Sequence, residues 1–468
     1  MAAPHLPEPN PFPMSDDKKG LFVTEDGKNL VVTFILVSSL FLLWGVCNGM
    51  IDVMDKHFQD ELHLSKSQSA WVQFAHYLGY FLMSMPAGLL ATRLGYKGGI
   101  IAGLLMVAVG GFWFIPATKI ASFWAFLLGV CVIASGLTFL ETVANPYTTV
   151  LGPARYAATR INLAQSCNGV GWIFGPIIGS LYFYSKDAAG HSTGSQTLYI
   201  PYVGVAVVVI VLAAIFFFAD VPDIKTEDDY RLDDDGSGVS HSIWSHPHFV
   251  LAVAAQFFYV AAQAGIFSFF INYMTAEVPP IPESWNSPSM HAWFETNKSG
   301  VLGISDKGAA TLASVGFFCF LAGRFTGAGL LKKFAAHKVL GLYGAANVIV
   351  CLLVFCKLGW PSVACVFLSY FFMSIMFPTI FALGIFGLGA RAKKASAFIV
   401  MAIMGGAILP KLMGYVADKF DMSRGFIVPL VCFAFVACYG FLWPKLSKAD
   451  SLYAKNQSVP RPSAATHS

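Results

Sequence analysis

The sequence predicts an all-α membrane protein, with twelve transmembrane helices in two pseudo-symmetric six-helix halves. Three observations carry this. Of 468 residues, 56% are hydrophobic and only 12% charged, about half the ~25% charge of an ordinary soluble domain. The apolar residues fall in runs of roughly twenty or more, enough to cross a hydrocarbon core about 30 Å thick. A pattern also recurs halfway along the chain. Ala87-Gly88-Leu89-Leu90, Lys97 and Gly103 return as Ala328-Gly329-Leu330-Leu331, Lys338 and Gly344 at the same spacing. Pro146 with Leu151-Gly152 returns as Pro378 with Leu383-Gly384.

The spans fall near 30–58, 68–92, 97–117, 121–151, 157–184 and 198–219, then 248–276, 305–331, 338–357, 361–389, 394–418 and 425–444. Continuous apolar runs without period-two alternation read as helices, because a lipid-exposed backbone must satisfy itself. The domain reading is an N-terminal tail (1–29), a first bundle (30–219), a linker (220–247), a second bundle (248–444) and a C-terminal tail (445–468). The tail before the first span is polar and Pro-rich, without the basic start and short apolar core of a cleaved signal.

The linker holds acidic clusters at Glu227–Asp229 and Asp233–Asp235 but lacks the ligand spacing of a calcium loop. The segment 278–305, rich in Pro, Trp and Ser, reads by default as an irregular surface loop, with a lid as the alternative. Basic residues concentrate on one side: Arg93, Lys97, Arg155, Arg160, Lys332, Lys333, Lys338, Arg391, Lys393 and Lys394. The positive-inside rule places both termini in the cytoplasm of a cell (inner) membrane protein. All nine cysteines read as small buried hydrophobes without metal-ligand spacing. No basic face suggests nucleic acid, and no nucleophile–base pair or metal cluster suggests an enzyme. No cofactor is expected, and the reading is of a monomer in a lipid bilayer.

Small residues mark close helix contacts. Gly171, Gly175 and Gly179 recur every four residues in the fifth span, as do Gly323 and Gly327 in the eighth. Both fixed packing within a half and sliding between halves are compatible with that spacing.

Charge at mid-bilayer costs about 2.5–3.5 kcal/mol on insertion scales, so Asp52 and Glu141 need a partner, a wet cavity or a proton. Trp44, Asn48 and Asp52 share one face of the first span. Glu141 and Asn145 stripe the fourth, Asn162, Gln165 and Asn168 the fifth, and Gln256, Tyr259 and Gln263 the seventh. Amides and hydroxyls both donate and accept, which suits a sugar, while Trp44, Tyr259 and Phe377 suit its apolar face. The carboxylates suit proton loading and release, with sodium as the competing cation. Arg324 and Lys411 read as counter-ion or gating groups, and His76 as a weaker proton-relay candidate.

The chain resembles the bacterial L-fucose–proton symporter family of the major facilitator superfamily, which includes glucose/galactose permeases. The resemblance runs from about Leu40 to Lys445. Its most specific segments are Leu140-Glu141-Thr142-Val143-Ala144-Asn145-Pro146, Asn162-Leu163-Ala164-Gln165, Gly323-Arg324-Phe325-Thr326-Gly327, His337-Lys338-Val339-Leu340 and Phe377-Pro378-Thr379-Ile380-Phe381. It implies alternating access between two rocking halves and sugar import driven by protons. The family's two coupling acids fall on Asp52 and Glu141, and its helix-five amides near the sugar on Gln165 and Asn168. Two departures, Gly49 and Asn272 where the L-fucose permeases carry an Asn and a basic residue, leave the sugar open among L-fucose and related hexoses.

Overall fold

The computed structural model describes residues 20–24, 27–61, 71–183, 199–224, 242–285, 293–296 and 301–448. Helix α1 is Val31–Glu61. A single run, Trp71–Ile120, breaks at Gly95 (φ 72°) into α2 before it and α3 after it. Positive φ favours glycine there, and an added Cβ would also meet the Asp223 carboxyl at 3.1 Å. The first half continues with α4 (Phe123–Val150), α5 (Ala157–Phe183) and α6 (Tyr199–Phe218). In the second half, α7 is Pro247–Ser268 extended by Phe270–Ala276, α8 is Asp306–Lys333 and α9 is Ala336–Phe355. Helix α10 is Trp360–Met373 plus Met376–Gly384, α11 is Ala392–Met401 plus Gly405–Lys419, and α12 is Ile427–Ser447.

Ten described helices are long and apolar enough to cross a membrane, the α2–α3 run counting as one of them. Helix α5 is not among the ten. Its buried Arg160, Asn162, Gln165 and Asn168 put polar groups where a lipid-facing helix has none, so it belongs inside the bundle. With α5 and the break at Gly95, the expected twelve spans are present.

The repeat-related prolines do matching work. Pro146 lacks the N–H that would bond the Thr142 carbonyl one turn earlier, and Ser396 Oγ of α11 donates to that carbonyl at 2.8 Å. Pro378 likewise leaves the Ser374 carbonyl free, and Arg324 Nε donates to it at 3.1 Å. Each proline thus exposes a backbone acceptor inside the bundle, where a partner must fill it.

The glycine spacing resolves to packing within each half. A Cβ on Gly171 would lie 2.3 Å from Leu42 O, and one on Gly175 would lie 2.6 Å from Val46 O, both on α1. Gly323 and Gly327 face Phe371 O and Ile375 on α10. The Gly179 side of the pattern lies outside the described residues.

Three expectations change. Arg160 is not a turn residue: it is fully buried, with five bonds to carbonyls of Leu21, Thr148, Thr149, Gly152 and Pro153. A cation there complements the negative end of the α4 dipole. Cys356 and Cys438 are exposed, Cys356 in the turn after α9. The 278–305 segment contains a short antiparallel hairpin, Phe294–Thr296 with Leu302–Ile304, rather than irregular chain throughout. The linker's acidic clusters lie outside the described residues.

Candidate functional site

A cavity of about 730 Å³ lies between the halves. The face where the chain enters α1 and leaves α12 is termed the terminal face, and the opposite one the distal face. Lining residues run from Arg324 and Phe377 at mid-depth to Trp71 and Phe74 at the distal start of α2. Toward the terminal face the halves meet. There Ser396 bonds Thr142, Asn162 Nδ2 donates to Thr379 Oγ1 at 3.1 Å, and a Cβ on Gly88 would sit 2.6 Å from that of Ala397. The cavity is therefore closed on the terminal side and opens distally.

Of the residues expected at the site, Trp44, Asn48, Asn168, Gln263, Phe377, Arg324 and Lys411 line this cavity. Glu141, Asn145, Asn162, Gln165, Gln256 and Tyr259 are buried in the wall behind it. Helix 1 places Asp52 one turn beyond Asn48, but its side chain lies outside the described residues.

A hydrogen-bond chain crosses the interface. Gln165 Nε2 donates to Asn145 Oδ1 at 3.0 Å, and Arg324 Nη1 donates to both Gln165 oxygens, Oε1 at 3.1 Å and the backbone carbonyl. The guanidinium also lies 4.7 Å from the Phe320 ring centre, a cation–π contact that offsets its desolvation. Arg324 thus ties α8 of one half to α5 of the other.

Glu141 is 2% exposed, and neither carboxylate oxygen has a hydrogen-bond partner among the described residues. Tyr80 and Arg324 are the groups that act on it. A buried polar atom without a partner is rare and marks a place where a proton, water or ligand completes the structure. Gln256 Oε1 and Nε2, Tyr259 Oη, Asn48 Oδ1 and Asn168 Nδ2 are also without partners among the described residues. These open donors and acceptors surround an aromatic wall. Phe377 has Trp44 at 6.5 Å and Tyr259 at 6.3 Å, and Trp172 stacks on Phe317 at 5.9 Å. Apolar rings with scattered two-way hydrogen-bonding groups match the surface of a sugar.

Sequence reasoning missed Tyr80, Tyr77, Trp172 and Phe317, all in the lining. The run His76-Tyr77-Leu78-Gly79-Tyr80 carried a signal, since His76 and Tyr80 share a helix face at i, i+4. Aromatic residues on an apolar helix otherwise read as core. His76 lines the cavity, with its ring 5.0 Å from that of Tyr80. His337 packs inside the second half, stacked on Trp443 at 5.5 Å.

A family model described as Major Facilitator Superfamily matches residues 31–383. The L-fucose-proton symporter of Escherichia coli (strain K12) is 34% identical over 427 residues, covering 87% of this chain and 92% of that protein. The glucose/galactose transporter of Brucella abortus biovar 1 (strain 9-941) is 32% identical over 424 residues, covering 90% and 96%. The crystal structure of the Major Facilitator Superfamily transporter FucP in the outward conformation matches with a TM-score of 0.73 at 34% identity. That match covers 88% of this chain and 99% of that one.

Proposed function

Since this chain belongs to the Major Facilitator Superfamily, we propose that it imports a monosaccharide, L-fucose or a related hexose, together with a proton by alternating access. One observation carries the reading: a buried carboxylate without a hydrogen-bond partner among the described residues, Glu141, stands in the wall of a cavity lined by aromatic rings and amides. The shared names of the relatives, L-fucose-proton symporter and glucose/galactose transporter, support a sugar as cargo.

Burial penalises the charged carboxylate, so loading a proton favours rearrangement of the wall. Sugar enters the distally open cavity, where Trp44 and Phe377 offer apolar faces and Asn48, Asn168 and Gln263 offer hydrogen bonds. Glu141, with Asp52 on α1, carries the proton. The terminal-side contacts then part, and sugar and proton leave together. The halves that move are 30–219 and 248–444, joined by the linker 220–247. The chain sits as a monomer in the cell membrane with its terminal face in the cytoplasm, so the distal opening faces outward.

The test is uptake into proteoliposomes of labelled L-fucose, glucose, galactose, mannose and an N-acetylated hexosamine, under an imposed pH or sodium gradient. One of these sugars should accumulate with the pH gradient alone. Accumulation driven by sodium alone would move the coupling to that cation, and none under either gradient would overturn the reading.

A further inference from the structure

Tyr80 occupies a singular position in the wall. It lines the cavity yet is 2% exposed, and its hydroxyl accepts the Trp44 indole N–H at 2.5 Å. The same side chain interacts with the Asn48 amide on the cavity side and with the Glu141 carboxylate behind. A phenol has one hydrogen to donate and two lone pairs to accept with. Trp44 takes one lone pair, and the Asn48 amide N–H is directed at the other. The single hydrogen has acceptors on either side that are without partners among the described residues, Asn48 Oδ1 and the Glu141 oxygens.

We infer that Tyr80 is the positioning residue that couples protonation of Glu141 to sugar binding, by reversing the direction of its hydroxyl hydrogen. This rests on the proton-coupled reading above. With Glu141 ionised, the Tyr80 O–H points at the carboxylate, because a charge-assisted bond outweighs a neutral one. With Glu141 protonated, its own O–H donates to the Tyr80 oxygen in place of the Asn48 N–H, which is released toward the cavity. The phenol hydrogen then turns to the cavity, toward Asn48 Oδ1 or a sugar oxygen. Protonation therefore presents the sugar with one more donor, and a bound sugar holds the proton on Glu141. No bond other than hydrogen bonds is made or broken in the relay, and the transported proton enters and leaves at Glu141.

The other charged or titratable groups around Glu141 do not substitute for this. Arg324 of α8 already donates to Gln165 and Ser374. His76 of α2 meets Tyr80 through ring contact, and Cys47 of α1 is a buried free thiol. Tyr96 of α3 stacks on Tyr147 of α4, about two turns toward the terminal face, and Lys393 of α11 lies over the Tyr96 ring. Asp52 lies on α1 one turn beyond Asn48. From α5 and α10 come the neutral Gln165 and Thr379, while Arg160 of α5 meets α4 two turns away, where the Thr148 and Thr149 carbonyls hold it.

The experiment titrates L-fucose, D-glucose and D-galactose against the purified full chain between pH 5.5 and 9. The wild type should bind its sugar more weakly as pH rises, by roughly three- to tenfold, the worth of one hydrogen bond. Tyr80→Phe keeps the ring but has no hydrogen to turn. It should bind at the wild type's alkaline affinity at every pH, with no proton taken up on binding in weakly buffered solution. A Tyr80→Phe protein that keeps the wild-type pH profile overturns the inference. Should that variant not fold, infrared difference spectra of the wild type decide. Sugar should strengthen a protonated-carboxyl band that Glu141→Gln lacks, and no such band also overturns it. If the wild type itself moves no sugar with protons, the coupled reading fails and this inference with it. If it does and only the Tyr80 results are negative, this inference fails alone.

Discussion

Arg324 of α8 donates to Gln165 of α5 through both the side-chain and backbone oxygens of that residue, so a cation anchored in one half grips the other. Gln165 passes the contact to Asn145 on α4, and Arg324 is held from behind by the Ser374 carbonyl that Pro378 leaves free. The tie spans the floor of the cavity.

Arg324→Lys should cut the maximal sugar uptake rate by about tenfold or more, since an ammonium lacks the planar fork that reaches Gln165 and Ser374 together. Gln165→Ala should cost a similar amount by stranding both Arg324 and Asn145. Uptake kinetics in proteoliposomes check both. Near-normal rates in Arg324→Lys would reduce the tie to simple packing.

Glu141→Gln should abolish accumulation against a gradient while sugar exchange persists, because a permanently neutral side chain resembles the loaded state but releases no proton. Counterflow and pH-driven uptake, measured side by side, separate the two. Asp52→Asn should also lower pH-driven uptake, and normal uptake in that variant would remove Asp52 from the mechanism.

Much of the fold and part of this site were legible in the sequence, for physical reasons. Apolar run length is read directly because lipid admits few alternatives, so the helices lay close to where they were expected. Polar residues on apolar helices are costly, so Asn48, Asn168 and Gln263 announced the cavity. The rings did not, since Trp172 or Phe317 on a membrane helix is chemically indistinguishable from lipid-facing filler until its neighbours are known. Arg160 misled because a basic residue beside a predicted turn resembles a positive-inside signal. Its five carbonyl acceptors depend on how the chain folds back at Leu21 and Gly152.

Asp223 and Lys393 join the halves at the terminal face, with Lys393 Nζ 3.0 Å from Asp223 Oδ1 and 4.1 Å from the Tyr96 ring centre. Such a partly exposed pair is worth about 1 kcal/mol or less, enough to bias a conformational balance severalfold. Asp223→Lys should widen the distance between spin labels placed at Arg93 and Lys394, and Asp223→Lys with Lys393→Asp should restore it. Unchanged distances in the single variant would assign the contact to local turn stability alone.

Gly171→Ala should lower the melting temperature and the folded yield, because its Cβ would press 2.3 Å from Leu42 O and 2.7 Å from the Gly45 Cα, backbone atoms that cannot step aside. Gly329→Ala is the control, with nothing within 4 Å of the added carbon, and should be neutral. Thermal melts of the two in detergent make the comparison.

At the distal rim of the second half, Lys357 pairs with Asp421 at 2.9 Å and with Glu277 at 3.2 Å. Glu277 also accepts from Met422 N and Ser423 Oγ, both at 3.1 Å, so the cluster staples the end of α7 to the α9–α10 and α11–α12 turns. Burial opposes ionisation of Asp421, but the Arg424 N–H and the Lys357 ammonium outweigh it and hold the carboxyl below its ordinary value of 3.8. Burial likewise opposes the Lys357 charge, and its bonds to Asp421 and Glu277 outweigh that, raising it above 10.5. A lowered acid contributes stability that is present above its unfolded value and lost as pH falls through the folded one. A raised base contributes stability that is present below its unfolded value and lost as pH rises through the folded one. The staple should therefore be intact across neutral pH and fail below about pH 4. Lys357→Ala should lower the melting temperature modestly at pH 7, each partly exposed pair being worth about 1 kcal/mol or less. It should also shrink the loss of stability between pH 5 and pH 3. Melting curves over that range test it, and an unchanged acid slope would place the origin of that slope elsewhere.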